Sequence, residues 1–239
     1  MGYGWPVIFP PILLNIDAGE YPDEPEGLYG VAHIVNVACG GHAGDDASMD
    51  RVLFACARFG TSLGAHPSYA DRAGFGRQEM TVPVADVQAR VEEQVKRLMA
   101  RAALTRQVVR YVKPHGALYH AANRSPELAR AVALGSARAI GGDFTLIGPP
   151  AGNLLLAAAE AGVAYAREGF ADRATRSDGS LVPRGEPGAL VTDPAVARAR
   201  ARELALSGTV DTVCVHGDTL GAMLIGHAAR EALDALNED

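Results

Sequence analysis

The sequence predicts a parallel α/β protein whose sheet is closed, or nearly closed, into a barrel. Short apolar runs alternate with helix-like stretches about seven times along 239 residues. No composition break or Ser/Gly linker divides the chain, so a single domain over residues 1–239 is expected. The runs at 12–14, 34–38, 61–63, 108–112, 163–166 and 213–215 are each followed by a cluster containing His, Asp or Glu. In a parallel sheet those clusters share one end, the end at which α/β folds bind their ligands.

The elements follow in order. After the runs at 12–14 and 34–38, residues 46–58 read as a helix. It opens with acidic residues, places Met49, Val52, Leu53 and Cys56 at helical spacing, and ends near Gly60. The run at 61–63 precedes a longer amphipathic stretch, 84–104, with Val87, Val91, Val95, Leu98 and Met99 on one face. Beyond 108–112, Ser125 as N-cap and Pro126 at the first helical position open a helix reaching about Ile140. Residues 153–161 form another, stopped by Gly162. After 163–166, Pro194 following Asp193 opens a helix that stops before Gly208, and the run at 213–215 leads to a last helix, 220–236. The Gly-rich polar stretches 66–81 and 172–188 lie on the strand-end side and are expected to wall or cover a pocket.

Composition narrows the function classes. Hydrophobic content of 48% suits a sizeable core, and the net charge is −6. Arginines are scattered and no basic run appears, so a nucleic-acid partner is not expected. The lysines are Lys96 and Lys113, which excludes a Gly-x4-Gly-Lys phosphate loop. Cys39, Cys56 and Cys214 are sparse and unpaired in pattern, which fits a reducing cytoplasm, and Cys39 and Cys214 are expected as buried small side chains. The apolar N-terminus has no Lys or Arg ahead of it and carries Pro6, Pro10 and Pro11, so neither a signal peptide nor a membrane span is expected.

The clusters are Asn15-Ile16-Asp17, Gly41-His42-Ala43-Gly44-Asp45, Gly64-Ala65-His66-Pro67, Lys113-Pro114-His115-Gly116, Glu168 with Asp172-Arg173, and His216-Gly217-Asp218. Asp17 suits a metal ligand, a base or a turn cap. Asp45 or Asp46 suits the cap of the helix that follows, which leaves His42 unexplained, and the glycines around it would let the backbone approach a ligand. His66 and His115 share a design, an imidazole at a strand end with a neighbouring proline. Lys113 in an apolar run must meet an anion, either a substrate carboxylate or phosphate or an internal partner such as Glu168. Glu168 and Asp172 offer a general base and a group that orients it, Arg184 offers a carboxylate clamp or a solvated side chain, and Asp218 is placed to hold the His216 tautomer. No Gly-x-Ser-x-Gly signature is present, so acid–base or metal-assisted chemistry is favoured over an acyl-enzyme.

Taken in order, eight stretches resemble the LamB/YcsF family, the A subunits of ATP-dependent prokaryotic 5-oxoprolinases. They are Asn15 to Glu20, Asn36 to Asp45, Gly64 to Pro67, Gly74 to Arg77, Val112 to Tyr119, Glu168 to Arg173, Leu181 to Arg184 and Cys214 to Asp218. The resemblance implies a (β/α)7-type barrel of the glycoside hydrolase/deacetylase kind. It also implies conversion of 5-oxo-L-proline, ATP and water to L-glutamate, ADP and phosphate, with separate B and C subunits and magnesium accompanying the ATP. In that scheme Asp17, His42, His66, His115, Glu168, Asp172 and His216 are the catalytic candidates. Asn15, Asn36, Asp45, Arg77, Lys113, Arg173, Arg184 and Asp218 are the substrate-binding candidates. The first motif departs from the family pattern at Ile16 and Ala18, the residue before His42 is Gly41, and the loop to Val31 is shortened. Two other readings stand beside this one. In the first, a metal-dependent amidohydrolase or deacetylase uses a divalent ion held by Asp17 and two of His42, His66 and His115. In the second, the chain is a non-catalytic subunit that binds substrate or partners. Self-association is left open.

Overall fold

Seven strands pair in chain order, all parallel, and the last pairs with the first to close a barrel. The structure, a computed structural model, describes residues 11–176 and 180–237. The targeting reading of the first ten residues and part of the 172–188 stretch therefore lie outside the described residues. The elements are β1 (Leu13–Ala18), α1 (Gly27–Val31), β2 (Ile34–Ala38), α2 (Asp46–Phe59), β3 (Ser62–His66), α3 (Val84–Leu104), β4 (Val109–Val112), α4 (Gly116–Arg124), α5 (Pro126–Ile140), β5 (Thr145–Gly148), α6 (Asn153–Ala161), β6 (Ala164–Phe170), α7 (Pro194–Leu206), β7 (Thr212–His216) and α8 (Ala222–Asn237). Among the described residues no helix is long and apolar enough to cross a membrane.

The helix ends follow their local chemistry. Asp45 accepts from the Ser48 amide and closes a reciprocal capping box on α2, which ends on left-handed Gly60. Ser125 and Asp193 cap α5 and α7, each with proline in the first turn. The strand between α5 and α6 is an addition to the six runs read from sequence. β5 is four residues long and ends in no charged group, so nothing chemical marks it.

Period-two alternation sets the two faces of the barrel wall. In β1, Leu14 and Ile16 are fully buried on the outer face, where Ile16 comes near Gly226 of α8, while Asn15 and Asp17 point into the barrel. The apolar layer therefore lies between strands and helices, and the barrel interior is left for polar groups. β1 and β6 are longer than their apolar runs, so Asn15, Asp17 and Glu168 sit inside strands and not beyond them. The inward polar side chains then converge within the barrel.

Candidate active site at the carboxyl end of the barrel

At the bottom of the site lies an ion cluster inside the barrel. The Lys113 ammonium is 2.8 Å from Glu168 Oε1, 3.0 and 3.1 Å from the two Asp17 oxygens, 3.3 Å from Asn15 Oδ1 and 3.1 Å from Cys214 Sγ. Burial opposes its charge, but Asp17, Cys214 and Glu168 outweigh it and raise the Lys113 pKa well above the usual lysine value. Burial likewise opposes charge on Asp17, while His66 and Lys113 hold its carboxyl well below the usual range. Lys113 thus has Glu168 and Asp17 as internal partners, and it also borders the cavity. Asn36 donates to Asn15 at 2.8 Å and to Asp17 at 3.0 Å, and Gly64 of β3 leaves room for it. A Cβ at Gly64 would lie 2.4 Å from Asn36 Oδ1.

Above this floor three imidazoles and Glu20 meet. His66 Nε2 lies 3.0 Å from His115 Nδ1, 3.4 Å from Asp17 Oδ2 and 3.8 Å from Glu20 Oε1. Glu20 Oε1 is also 3.2 Å from His115 Nδ1 and 2.9 Å from His42 Nε2. The outer nitrogens of His66 and His115 face the carbonyls of Lys113 and Phe75, at 2.7 and 2.9 Å. Burial keeps His42 neutral, with its pKa down at about 3, and lowers that of His115. For His66 burial is outweighed by Asp17 and Glu20, and its pKa rises. Glu20, His42, His66 and His115 together offer four metal-ligand atoms within 4.8 Å of one another. The glycines beside His42 serve the chain's own packing and not a ligand: a Cβ at Gly44 would lie 2.3 Å from the Ala38 carbonyl oxygen, and one at Gly41 would lie 2.3 Å from Ser68 Oγ.

A second imidazole centre faces the first. His216 Nδ1 is 3.0 and 3.2 Å from the two oxygens of Asp172, which also accepts from the His216 amide at 2.9 Å and from Thr219 Oγ1 at 2.5 Å. Burial works against charge on Asp172, yet His216 and these hydrogen bonds hold its pKa below the ordinary value. Phe170 stacks on the His216 ring. Asp172, and not the expected Asp218, fixes the His216 tautomer. Asp218 instead pairs with Arg77 at 2.7 Å and with Arg184 at 2.9 Å, while Arg173 donates to the Val182 carbonyl.

These groups line a cavity of about 430 Å³, within the range of small-molecule sites. Asp17, His66, His115, His216, Lys113, Arg77, Arg173 and Arg184 all border it. Asn15, Asn36 and Glu168 lie beneath and support the lining. Asp45 does not take part: it is exposed at the start of α2, and its expected substrate role gives way to capping. Three contributors were not assigned roles from sequence. Glu20 borders the cavity; its signal was the carboxylate three residues beyond Asp17 in the same motif. Glu24 holds Glu20 in place, accepting from the amides of Gly19, Glu20 and Tyr21 and from the Tyr29 hydroxyl. Tyr119 is buried in the wall, and burial together with nearby Glu168 keeps its phenol protonated, well above the usual pKa.

A closed parallel seven-stranded barrel with carboxylates, imidazoles and guanidiniums around a cavity at its carboxyl end defines a (β/α)7-barrel protein whose polar groups converge on one site. Residues 14–238 match the LamB/YcsF family, and the chain belongs to that family. It is 43% identical to the 5-oxoprolinase A subunit of Streptomyces coelicolor over 93% of this chain and 96% of the relative. It is 38% identical to the protein of the same name from Chloroflexus aggregans, over 94% and 95% of the two chains. Among solved structures it is similar to a lactam utilization protein from Thermus thermophilus, with a TM-score of 0.85, 34% identity and coverage of 95% of this chain and 97% of the other. A family 4 carbohydrate esterase from Streptomyces lividans shares the fold at a TM-score of 0.54 and 10% identity, over 97% of this chain and 91% of that one.

Proposed function

We propose that this chain is the hydrolytic A subunit of an ATP-dependent 5-oxoprolinase, opening 5-oxo-L-proline to L-glutamate together with separate B and C subunits. The observation that carries the reading is the His216–Asp172 pair facing the cavity, with Arg77, Arg173 and Arg184 on the same cavity wall. Asp172 accepts the Nδ1 proton, so the Nε2 lone pair is turned outward and is the base that takes a proton from water. The water oxygen adds to the phosphorylated ring carbon, and the ring nitrogen accepts a proton and leaves as an amine as the C–N bond breaks. A second water cleaves the acyl phosphate that remains into the glutamate carboxylate and phosphate. The guanidiniums anchor the substrate carboxylate, with Asp218 holding Arg77 and Arg184 in position. The Lys113–Asp17–Glu168 cluster fixes the charge of the floor beneath the reacting carbon.

The need for ATP follows from the substrate. A five-membered lactam is a resonance-stabilised amide, and phosphorylation of its oxygen removes that resonance and makes the carbon open to water. The chain's sequence offers no Gly-x4-Gly-Lys loop, so ATP with its magnesium is assigned to the assembly with partner subunits. That the relatives are named as A subunits supports the existence of such partners. The test is glutamate release from 5-oxoproline by the reconstituted assembly, with His216→Ala and Asp172→Asn variants in this chain. Loss of release with normal assembly supports the reading. Full release from His216→Ala removes His216 from the reaction.

A further inference from the structure

The imidazole cluster opposite His216 has a hydrogen count that does not close. A neutral imidazole carries one N–H. His66 Nδ1 faces the Lys113 carbonyl at 2.7 Å and His115 Nε2 faces the Phe75 carbonyl at 2.9 Å. Carbonyl oxygens only accept, so each of those nitrogens carries its ring's proton. The remaining nitrogens, His66 Nε2 and His115 Nδ1, then present lone pairs to each other at 3.0 Å. Glu20 Oε1 adds a third set of lone pairs, 3.2 Å from His115 Nδ1 and 3.8 Å from His66 Nε2. Three acceptors converge with no donor among them. One extra proton on His115 Nδ1 would face both His66 Nε2 and Glu20 Oε1, so the cluster takes either a proton or a cation at this point, and the spacing of the three atoms decides between them.

We propose that Glu20, His66 and His115 bind one divalent transition-metal ion at the mouth of the barrel, with His42 holding the carboxylate from behind and the remaining coordination position open to the cavity. The three separations bracket the edge of about 3.3 Å expected around a tetrahedral ion bound at about 2.0–2.1 Å. A set of two imidazoles and one carboxylate suits zinc, and metal-bound histidines characteristically donate their other N–H to a carbonyl, as both do here. His42 is excluded as a ligand by its ring. It stacks on His115 at 3.6 Å and 2°, and since an imidazole lone pair lies in the ring plane, one ion cannot lie in both planes. Its Nε2 instead donates to Glu20, and unlike the other three it does not border the cavity. Asp17 is drawn to Lys113, so the metal set expected from sequence loses Asp17 and His42 and gains Glu20. The proposal concerns the ion alone and stands or falls apart from the lactam reading.

The test is to strip the purified chain with a chelator, dialyse it against Zn²⁺ and count bound metal by mass spectrometry, with Co²⁺ loading to read coordination from the visible spectrum. One equivalent per chain is expected. Glu20→Gln and His66→Gln should each weaken binding by at least about 100-fold, while His42→Ala keeps one equivalent with a loss of about 10- to 100-fold, as for a residue behind a ligand. Folded unsubstituted chain that retains no ion overturns the proposal and assigns the gap to a proton. It is equally overturned if Glu20→Gln binds as the parent does, or if His42→Ala loses the ion as completely as His66→Gln.

Discussion

Lys113 was legible as a charge in an apolar run that must meet an anion, with Glu168 among the candidates; the meeting itself depends on β6 extending far enough to bring Glu168 inside the barrel. Two buried carboxylates now depend on one ammonium. Lys113→Met leaves them uncompensated and is expected to destabilise the fold by roughly 3–5 kcal/mol, read from urea unfolding, whereas adding Glu168→Gln should recover part of the loss. Unchanged stability in Lys113→Met would contradict the cluster. His216 and Asp172 sit at another residue-scale junction. Asp172→Asn leaves His216 without its orienting acceptor and is expected to lower kcat by about 10²- to 10⁴-fold with little change in KM, measured in steady-state kinetics of the assembly.

The histidines also set a pH dependence. His42, His33, His115 and His120 have lowered folded pKa values, in each case chiefly through burial, so the unfolded chain binds protons that the folded chain refuses. His66 is raised and contributes in the opposite sense, with stability present below the ordinary imidazole value and lost above it. In the metal-free chain His42 carries the large shift, so stability should fall as pH drops below about 6.5, a loss that continues to about 3. Asp17, Glu20 and Asp172, all lowered, add a further loss as pH falls below the ordinary carboxylate range. Unfolding free energies at pH 7, 6 and 5 (about one unit apart, the span over which a histidine titrates) check the sign. A rise towards pH 5 would contradict it.

At the scale of elements, most of the barrel was written locally. Ser125-Pro126, Asp193-Pro194 and the glycines at helix ends act within a few residues, and the structure uses each as its chemistry suggests. What escaped reading depends on distance. β5 is a short apolar run with no reactive residue behind it, α4 starts on His115 itself, and the loop between β1 and α1 is organised by Glu24 folding back onto three amides. Glu24→Ala removes those acceptors and should destabilise by about 1–3 kcal/mol while freeing Glu20, seen as faster amide exchange at residues 19–21. In β3, Gly64→Ala would drive a methyl into Asn36 and is expected to cost about 1–3 kcal/mol in thermal or urea unfolding. Parent-like stability of Gly64→Ala would show that the Asn15–Asn36–Asp17 network has slack.

For the whole molecule, parallel closure gathers side chains from β1, β3, β4, β6 and β7 and their following loops around one cavity, although they are spread from Asp17 to Asp218 in sequence. That convergence was inferable from the order of the motifs. The partition between a buried charged floor, a cluster of three imidazoles and a wall of guanidiniums was not, since it depends on strand register. This cavity is proposed to hydrolyse an activated lactam supplied through partner subunits. The direct measurement is 5-oxoproline-dependent glutamate release by the tagged chain purified with its native partners, with and without ATP, alongside the isolated chain. ATP-dependent release by the assembly and none by the isolated chain is the predicted result. Release by the isolated chain without ATP, or none by the intact assembly with ATP, would contradict it.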